Sequence, residues 1–433
     1  MTLTRHDCSA LDAEDALAPM RDAFDLPPGI TYLDGNSLGA LPRATQARLD
    51  EVVAREWGVG LIRSWNSAGW VDLAERVGSR IAALLGVGAN EVSVGDSTSV
   101  NLYKVLKTAV RLNATVTRRR IVSERSNFPT DLYIAQSVAE EHGLELHLVD
   151  DGALLAGFDE RVVCALLTHV NYRSGRLHDM ASITRAAHDA GALALWDLAH
   201  SAGAVPLALT AADADFAVGC GYKFLNGGPG APAYLWAHPR HTDRMDREQL
   251  RQPLAGWFGH AAPFDFSVGY RPAAGVKRYA CGTPAVLSMA ALECGVGVFA
   301  EADAFGGMAA LREKSLRLTA LFIELVDARC NGSGLALATP REGAMRGSQV
   351  SLAHAHGHAV MQALIARGVI GDFRAGDPGA PAGSAAAADL LRFGFTPLYT
   401  RFVDAWEAAE QLRDVLATDA WRDTRYGQRA SVT

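Results

Sequence analysis

Lys223 stands in Gly221-Tyr222-Lys223-Phe224-Leu225-Asn226-Gly227-Gly228-Pro229-Gly230, with Asp197-Leu198-Ala199-His200 a short distance upstream. Of 41 basic residues only Lys104, Lys107, Lys223, Lys277 and Lys314 are lysines. One set between an aromatic segment and a glycine-rich turn therefore stands out. Burial there would strip hydration from the ammonium, lower its pKa and make the amine a nucleophile. A nucleophilic lysine is what a Schiff base with an aldehyde cofactor requires. A carboxylate from another strand end, such as Asp197, would keep a pyridine nitrogen protonated and turn the ring into an electron sink. The pair implies pyridoxal 5'-phosphate.

Other groups carry a functional and an ordinary reading side by side. Ser93 to Asn101 (Ser-Val-Gly-Asp-Ser-Thr-Ser-Val-Asn) precedes a helix pattern. Small hydroxyls and free amides at a helix start make a phosphate site, although a plain N-cap has the same residues. Phe128 in Phe128-Pro129-Thr130-Asp131 is either a core aromatic or a ring stacked on the cofactor. Asp197 could merely cap a helix, and His200 could be a satisfied interior histidine. Trp257, in Gly256-Trp257-Phe258-Gly259-His260, is core or a pocket edge. Arg392 lies inside the apolar run Leu390-Leu391-Arg392-Phe393-Gly394-Phe395. An unpaired buried guanidinium is costly, so it either meets an internal acid or grips a substrate carboxylate through two parallel hydrogen bonds.

The elements that must position these groups alternate through the middle of the chain. Strand patterns run from Arg120 to Glu124, Leu144 to Val149, Val162 to Thr168, Ala192 to Trp196 and Phe216 to Cys220. Helix patterns run from Asp131 to His142, ending at Gly143, and from Ile183 to Ala190, ending at Gly191. Val162 to Thr168 is continuously apolar, as a strand buried on both faces must be. Such alternation predicts a mainly parallel sheet flanked by helices, with the ligand at the carboxyl ends of the strands. Thr168, Asp197 and Lys223 each follow a strand and would meet in one crevice. The C-terminal third changes character: a long helix from Ala309 to Ala328, strands from Val350 to Ala353 and Leu390 to Phe395, and a closing helix from Val403 to Leu416. The chain thus reads as an α/β large domain (61–300) plus a smaller α+β domain (301–433), the latter joined by an N-terminal segment (1–60). Gly376 to Ala388, rich in Gly, Pro and Ala, reads as a surface insertion.

Bulk properties narrow the function. At 433 residues with 49% hydrophobic and 21% charged residues the composition is that of an ordinary globular protein, and the length implies two domains. A net charge of -7 argues against a general nucleic-acid binder. The N-terminus lacks the apolar core of a signal peptide, and no apolar stretch reaches membrane-spanning length. The expected setting is cytoplasmic, with no membrane partner. Six cysteines without CxxC or zinc-ligand spacing imply reduced thiols and no metal.

The chain resembles the kynureninase family, fold-type I pyridoxal-phosphate enzymes of the aminotransferase class V group. Asn36-Ser37-Leu38-Gly39, Phe128-Pro129-Thr130-Asp131, Asp197-Leu198-Ala199-His200, Tyr222-Lys223 and Gly256-Trp257-Phe258-Gly259-His260 recur in the family's order, as does Phe393-Gly394-Phe395-Thr396-Pro397-Leu398-Tyr399. The Asp and Lys alone indicate only the superfamily; the Gly-Trp-Phe-Gly-His block with Asn-Ser-Leu-Gly is specific. The resemblance implies hydrolytic cleavage of L-kynurenine to anthranilate and L-alanine.

By that resemblance Lys223 carries the cofactor, Asp197 pairs with its pyridine nitrogen and Phe128 stacks on its ring. Thr98, Ser99, Asp131, Thr168 and His200 line the pocket. Tyr222 and Trp257 approach the phosphate, and Tyr222 is a proton donor during cleavage. Thr283, in Gly282-Thr283-Pro284, reaches a phosphate across a homodimer interface, so the active site is shared. Arg392 holds the substrate carboxylate, with Ser37 and Trp257 beside the substrate. Animal members, which favour the 3-hydroxylated substrate, carry asparagine where Thr283 falls and a histidine in the Gly58 to Arg63 region, where none occurs here. That implies a preference for unsubstituted L-kynurenine, with 3-hydroxykynurenine accepted less well. A cysteine desulfurase would share the scaffold but needs a mobile, exposed cysteine; Cys281 is the nearest candidate. A catalytically silent binder of the cofactor need not keep Lys223, Asp197 and Arg392 together.

Overall fold

The structure, a computed structural model, describes residues 3–377, 379 and 387–429. Most of the predicted Gly376 to Ala388 insertion lies outside the described residues. A seven-stranded sheet forms the centre: β2 (Val92–Val94), β3 (Arg120–Glu124), β4 (Glu145–Val149), β5 (Val162–Thr168), β6 (Leu193–Asp197), β7 (Phe216–Gly219) and β8 (Tyr234–Ala237), in the order β2-β8-β7-β6-β5-β3-β4. The β3, β4, β5, β6 and β7 ladders are parallel. The edge departs from the sequence expectation, since β8 pairs antiparallel with both β7 and β2. β8 alone runs against the rest: no helix separates it from β7, and the glycine-rich turn between them makes no crossover that would force it parallel.

Every residue of β5 is buried. Val162, Ala165 and Leu167 join one core with Val77, Ile81 and Trp196, whereas Val163, Cys164 and Leu166 join another with Leu102, Leu106 and Val138. Burial on both faces explains the continuous apolar run. The intervening helices stop where glycine permits a left-handed turn: Gly143 (φ 60) caps the helix Pro129–His142, and Gly191 (φ 76) follows the helix Met180–Asp189.

A second, antiparallel sheet takes the order β12 (Asp372–Arg374), β13 (Leu390–Gly394), β10 (Gln349–Ala353) and β9 (Ala336–Leu337). Register places Arg392 of β13 opposite Asp372 on one side and Ser351 on the other. The helices Gly307–Arg329 and Phe402–Ala417 cover this sheet, with the Phe322 ring 5.0 Å from Phe393 and 5.2 Å from Phe395. The N-terminal helix Arg5–Ala13 packs on the Phe402–Ala417 helix and buries Cys8 in the same core. Asp12 accepts the amides of Phe402 (2.6 Å) and Val403 (3.0 Å), satisfying donors at that helix start. The chain then forms β1 (Thr31–Tyr32), parallel to β11 (Val369–Ile370). From there Asp34 bridges to Gly394, and Gly39 donates to the Tyr222 carbonyl at 2.8 Å. One segment thus ties the small sheet to the Lys223 loop. Among the described residues no single helix is long and apolar enough to cross a membrane.

Candidate active site

Thr168 and Asp197 end adjacent parallel strands and pair directly in register. Beyond the next strand, β7, the chain turns through Gly221-Tyr222-Lys223, closed by Asn226 N to Lys223 O (2.9 Å) and Gly227 N to Gly221 O (2.9 Å). Asn226 (φ 56) and Gly228 (φ 80) adopt left-handed backbone to make this turn. The result is a cleft lined by Thr98, Ser99, Phe128, Asp131, Thr168, Asp197, His200, Tyr222 and Lys223, together with Thr130, Tyr172 and Ala199. Lys223 is half-buried at its centre. Its Nζ lies 2.9 Å from His200 Nε2, 5.9 Å from the Phe128 ring centroid and 5.8 Å from that of Tyr222.

Burial dominates the electrostatics. Asp131 is pushed well above the carboxylate range by burial and then by the Asp197 charge, so it holds a proton. Burial also raises Asp197, but Lys223 and the Ala199 amide (2.7 Å) favour its ionised form. His200 is pushed far below its ordinary value, first by burial and then by the Lys223 charge, and is a neutral ring. Burial, helped by Cys220 and Asp197, raises the Tyr222 phenol, which stays protonated.

Two ambiguities resolve geometrically. Ser97 is the N-cap of the helix Thr98–Asn113, its Oγ accepting from Val100 N at 3.3 Å. Thr98 and Ser99 then occupy the first turn, where amides lack helical acceptors. The Ser97 cap thus leaves the first-turn amides of Thr98 and Ser99 at the cleft. Phe128 is no core residue: it is 38% exposed and meets Tyr172 edge-on at 5.2 Å.

Arg392 meets an internal acid. Its Nε donates to Asp372 Oδ1 at 2.6 Å, Nη2 donates to Asp372 Oδ2 and to Ser37 Oγ (3.1 Å), and Nη1 donates to the Tyr172 carbonyl. Ser37 Oγ donates to Asp372 in turn. Trp257 and Thr283 do not reach this cleft within one chain. Trp257 belongs to an aromatic surface with Trp65, Phe258, Phe264 and Phe266. Thr283 lines a separate cavity of about 280 Å³ with Asp96, Lys104 and Cys281. Cys281 Sγ is held at 3.0 Å from the Leu254 carbonyl rather than in a free loop. Sequence reasoning missed Tyr172, Asn127, which accepts from Thr168 Oγ1, and the pairing of Asp372 with Arg392. Only the β12–β13 register reveals the last, and the Gly/Pro/Ala run between those strands conceals it.

The residues suit pyridoxal phosphate: an amine at the centre, a carboxylate at a strand end, an exposed aromatic face and first-turn amides. Two buried atoms here, Asp131 Oδ2 and His200 Nδ1, have no hydrogen-bond partner among the described residues, as a site completed by another polar group requires.

Fold and site together define a fold-type I pyridoxal-phosphate enzyme. In overall shape the chain is similar to cysteine desulfurases of Escherichia coli (TM-score 0.75, 19% identity, 93% of this chain and 98% of that one) and Thermococcus onnurineus NA1 (0.74, 19%, 92% and 98%). In sequence it is 53% identical to the kynureninases of Burkholderia mallei (strain SAVP1) and Pseudomonas fluorescens, each over 435 residues, 99% of this chain and 100% of the relative. The model of the kynureninase C-terminal domain matches residues 311–412. The chain belongs to the kynureninase family and is a pyridoxal-phosphate-dependent hydrolase.

Proposed function

We propose that the Lys223 cleft performs the family's reaction, the hydrolytic cleavage of the Cβ–Cγ bond of L-kynurenine to anthranilate and L-alanine. The observation that carries the assignment of residues is the convergence of Thr168, Asp197 and Lys223 at neighbouring strand ends. Bound pyridoxal phosphate supplies an electron sink that accepts charge from the substrate's α- and β-carbons. Lys223 would hold it, Asp197 would face its pyridine nitrogen, Phe128 would cover its ring and the Thr98 and Ser99 amides would meet its phosphate. Asp131, protonated beside Asp197, shares that buried charge.

Arg392 orients the substrate through its carboxylate, assisted by Ser37. Lys223 Nζ moves the α-proton as a general base, with the neutral His200 ring fixing the amine's position. Tyr222, half-buried and protonated, donates to the β-carbon once anthranilate departs. Water is the co-substrate and adds to the γ-carbonyl. The test is to mix cofactor-loaded protein with L-kynurenine and follow anthranilate fluorescence. Equal release of anthranilate and L-alanine supports the reading, and no release from folded, cofactor-loaded protein refutes it.

A homodimer with shared sites completes the picture. Trp57, Val59, Leu61, Ile62, Phe264 and Phe266 expose large apolar surface, as an unfilled subunit interface does. Trp257 and Thr283, remote from their own chain's Lys223, would then serve the partner's cleft. Mixing Lys223→Ala with Trp257→Ala subunits should restore part of the activity; no recovery despite proven subunit exchange would refute sharing. Thr283 and the histidine-free Gly58 to Arg63 segment favour unsubstituted L-kynurenine over 3-hydroxykynurenine. The protein works in the cytoplasm on this reading.

A further inference from the structure

The carboxylate end of the site holds more positive charge than its own acids neutralise. Arg392 and Arg374 both converge on Asp372, with Arg374 Nη2 2.8 Å from the Asp372 Oδ2 that also meets Arg392 and Ser37. The neighbouring acid, Asp34, lies deep in the junction with Oδ1 unpartnered among the described residues. Burial, then the Asp372 charge, push its carboxyl up to about 8, so it is largely neutral at neutral pH. Two guanidinium charges therefore share one carboxylate, and one positive charge is left over. His200, which faces this cluster from the large domain beside Tyr172, is pushed well below its ordinary value by burial and then by the Lys223 charge, and adds no positive charge.

The two arginines differ in what they can still offer. A guanidinium has five N–H donors. Arg392 is 1% exposed and commits Nε and both Nη2 hydrogens to Asp372 and Ser37 and one Nη1 hydrogen to the Tyr172 carbonyl, leaving one. Arg374 donates from Nη1 to the Phe373 carbonyl at 2.7 Å and directs Nη2 at Asp372 and Ser37. Its Nε and second Nη1 hydrogen meet no acceptor among the described residues. Its side chain is 34% exposed, and its charge acts on both His200 and Tyr222, which line the cleft. Arg392 is thus largely spent on structure, and Arg374 keeps donors for a ligand.

We propose that Arg374 is a second carboxylate-binding arginine of this active site, closing on the substrate's α-carboxylate beside the remaining donor of Arg392, with Asp372 and Ser37 as the residues that position both guanidinium groups. The proposal rests on the reading that the carboxylate lies at this end of the cleft. Two donors from different strands would hold the two oxygens of one carboxylate. Amines without a carboxyl group would forfeit both contacts, and esters and amides would lose the charge and one of the two equivalent oxygens, so Arg374 sets the preference for a free amino acid.

The experiment titrates cofactor-loaded enzyme with the product L-alanine and with L-alaninamide, which lacks the carboxylate, and reads the change in cofactor absorbance. Arg374→Gln should weaken L-alanine by about tenfold or more, the worth of one charge-assisted hydrogen bond, and leave L-alaninamide within about twofold. Arg374→Lys should recover part of the loss, because a point charge replaces the planar fork. For L-kynurenine, KM should rise with kcat little changed. Equal weakening of both ligands, or of neither, overturns the proposal. Arg392→Gln separates it from the reading beneath it. If that variant weakens only L-alanine while Arg374→Gln does nothing, the site stands and the role of Arg374 falls. If neither variant discriminates the two ligands, the carboxylate lies elsewhere and both fall. Should Arg392→Gln fail to fold, the Arg374 titrations decide alone.

Discussion

Asp372→Asn removes one charge from the most enclosed ion pair of the small domain. The Arg392 and Asp372 side chains are 1% and 2% exposed, and Nε to Oδ1 is 2.6 Å, so solvent screening gives no discount. The asparagine keeps the shape, but its NH2 group turns donors towards a guanidinium that cannot accept. Breaking a buried pair on one side costs about 3–5 kcal/mol, because the survivor is left charged and unpaired. Two arginines, not one, lose their acid here, which places the cost at the upper end. The assay is urea unfolding with saturating cofactor, followed by tryptophan fluorescence from Trp406 and Trp421 near the small-domain core. Asp372→Asn with Arg392→Gln should cost less than the sum of the single changes, since removing both partners leaves no orphan charge at that pair. A loss below about 1 kcal/mol for Asp372→Asn, or additivity within about 0.5 kcal/mol, would refute the reasoning and make the pair an incidental contact.

Lys223→Ala should abolish anthranilate release and the cofactor's attachment to the protein, and retention of both would remove Lys223 from the centre of the mechanism. Gly39→Ala would place a Cβ 2.4 Å from the Lys223 carbonyl and 2.6 Å from Asn226 Cα. Both are backbone atoms, so the strap from Asp34 to Gly39 or the Lys223 loop must shift at about 1–3 kcal/mol; kcat should fall at unchanged protein yield, and unaltered kcat would show that the contact is loose. Asp215 tests the pH dependence of stability: burial raises it, but bonds from His188 (2.8 Å), His241 (2.6 Å) and Arg240 (2.5 Å) prevail and hold it far below the usual range. Its contribution is full above the unfolded carboxyl value of about 3.9 and fades as pH falls through the depressed folded value. His188 is raised, first by its bond to Asp215, so its contribution is full below about 6.5 and fades as pH rises through the folded value. Urea midpoints should therefore decline on both sides, and Asp215→Asn should lower and flatten the profile; an unchanged profile would exclude the cluster as its source.

Local pattern carried much of the large domain. The strand Val162–Thr168 follows its apolar run, because a strand buried on both faces must be apolar nearly throughout. Thr168, Asp197 and Lys223 could be placed together because parallel strands put their carboxyl ends on one side. The antiparallel edge was not legible: Val92–Val94 and Tyr234–Ala237 are too short for periodicity to separate strand from turn. Nor was the Asp372–Arg392 pair, since pairing across β12 and β13 is set by register across a long Gly/Pro/Ala-rich connection whose length hides which residues face each other. Trp257 and Thr283 were not legible as outlying residues, because an aromatic-glycine motif does not say which face of the chain it occupies.

The Asn-Ser-Leu-Gly segment shows why a motif with no nucleophile, acid or base can accompany the chemistry so closely. Its residues sit where three parts of the chain meet. Gly35 approaches Thr396 and Tyr399, Gly39 approaches the Lys223 carbonyl, and Asn36 lies against Gly394, where an added Cβ would stand 2.0 Å from Asn36 Oδ1. Ser37, between them, bonds Asp372 and Arg392. Small residues are thus required on both sides of the contact, and each larger side chain would separate the sheet that carries Arg392 from the Lys223 loop. Asp34 Oδ1, both side-chain atoms of Asn36, Thr396 Oγ1 and Tyr399 OH are buried there without partners among the described residues, a concentration that dry packing would not tolerate and that ordered water would satisfy. Direct bonds also cross the junction, from Gly394 N to the Leu33 carbonyl (2.7 Å), from Gly39 N to the Tyr222 carbonyl (2.8 Å) and from Ser37 to Asp372, so a shift on one side is passed to the other. Substrate held at Arg392 and Arg374 would bias that junction, and the strap from Asp34 to Gly39 would carry the bias to Lys223.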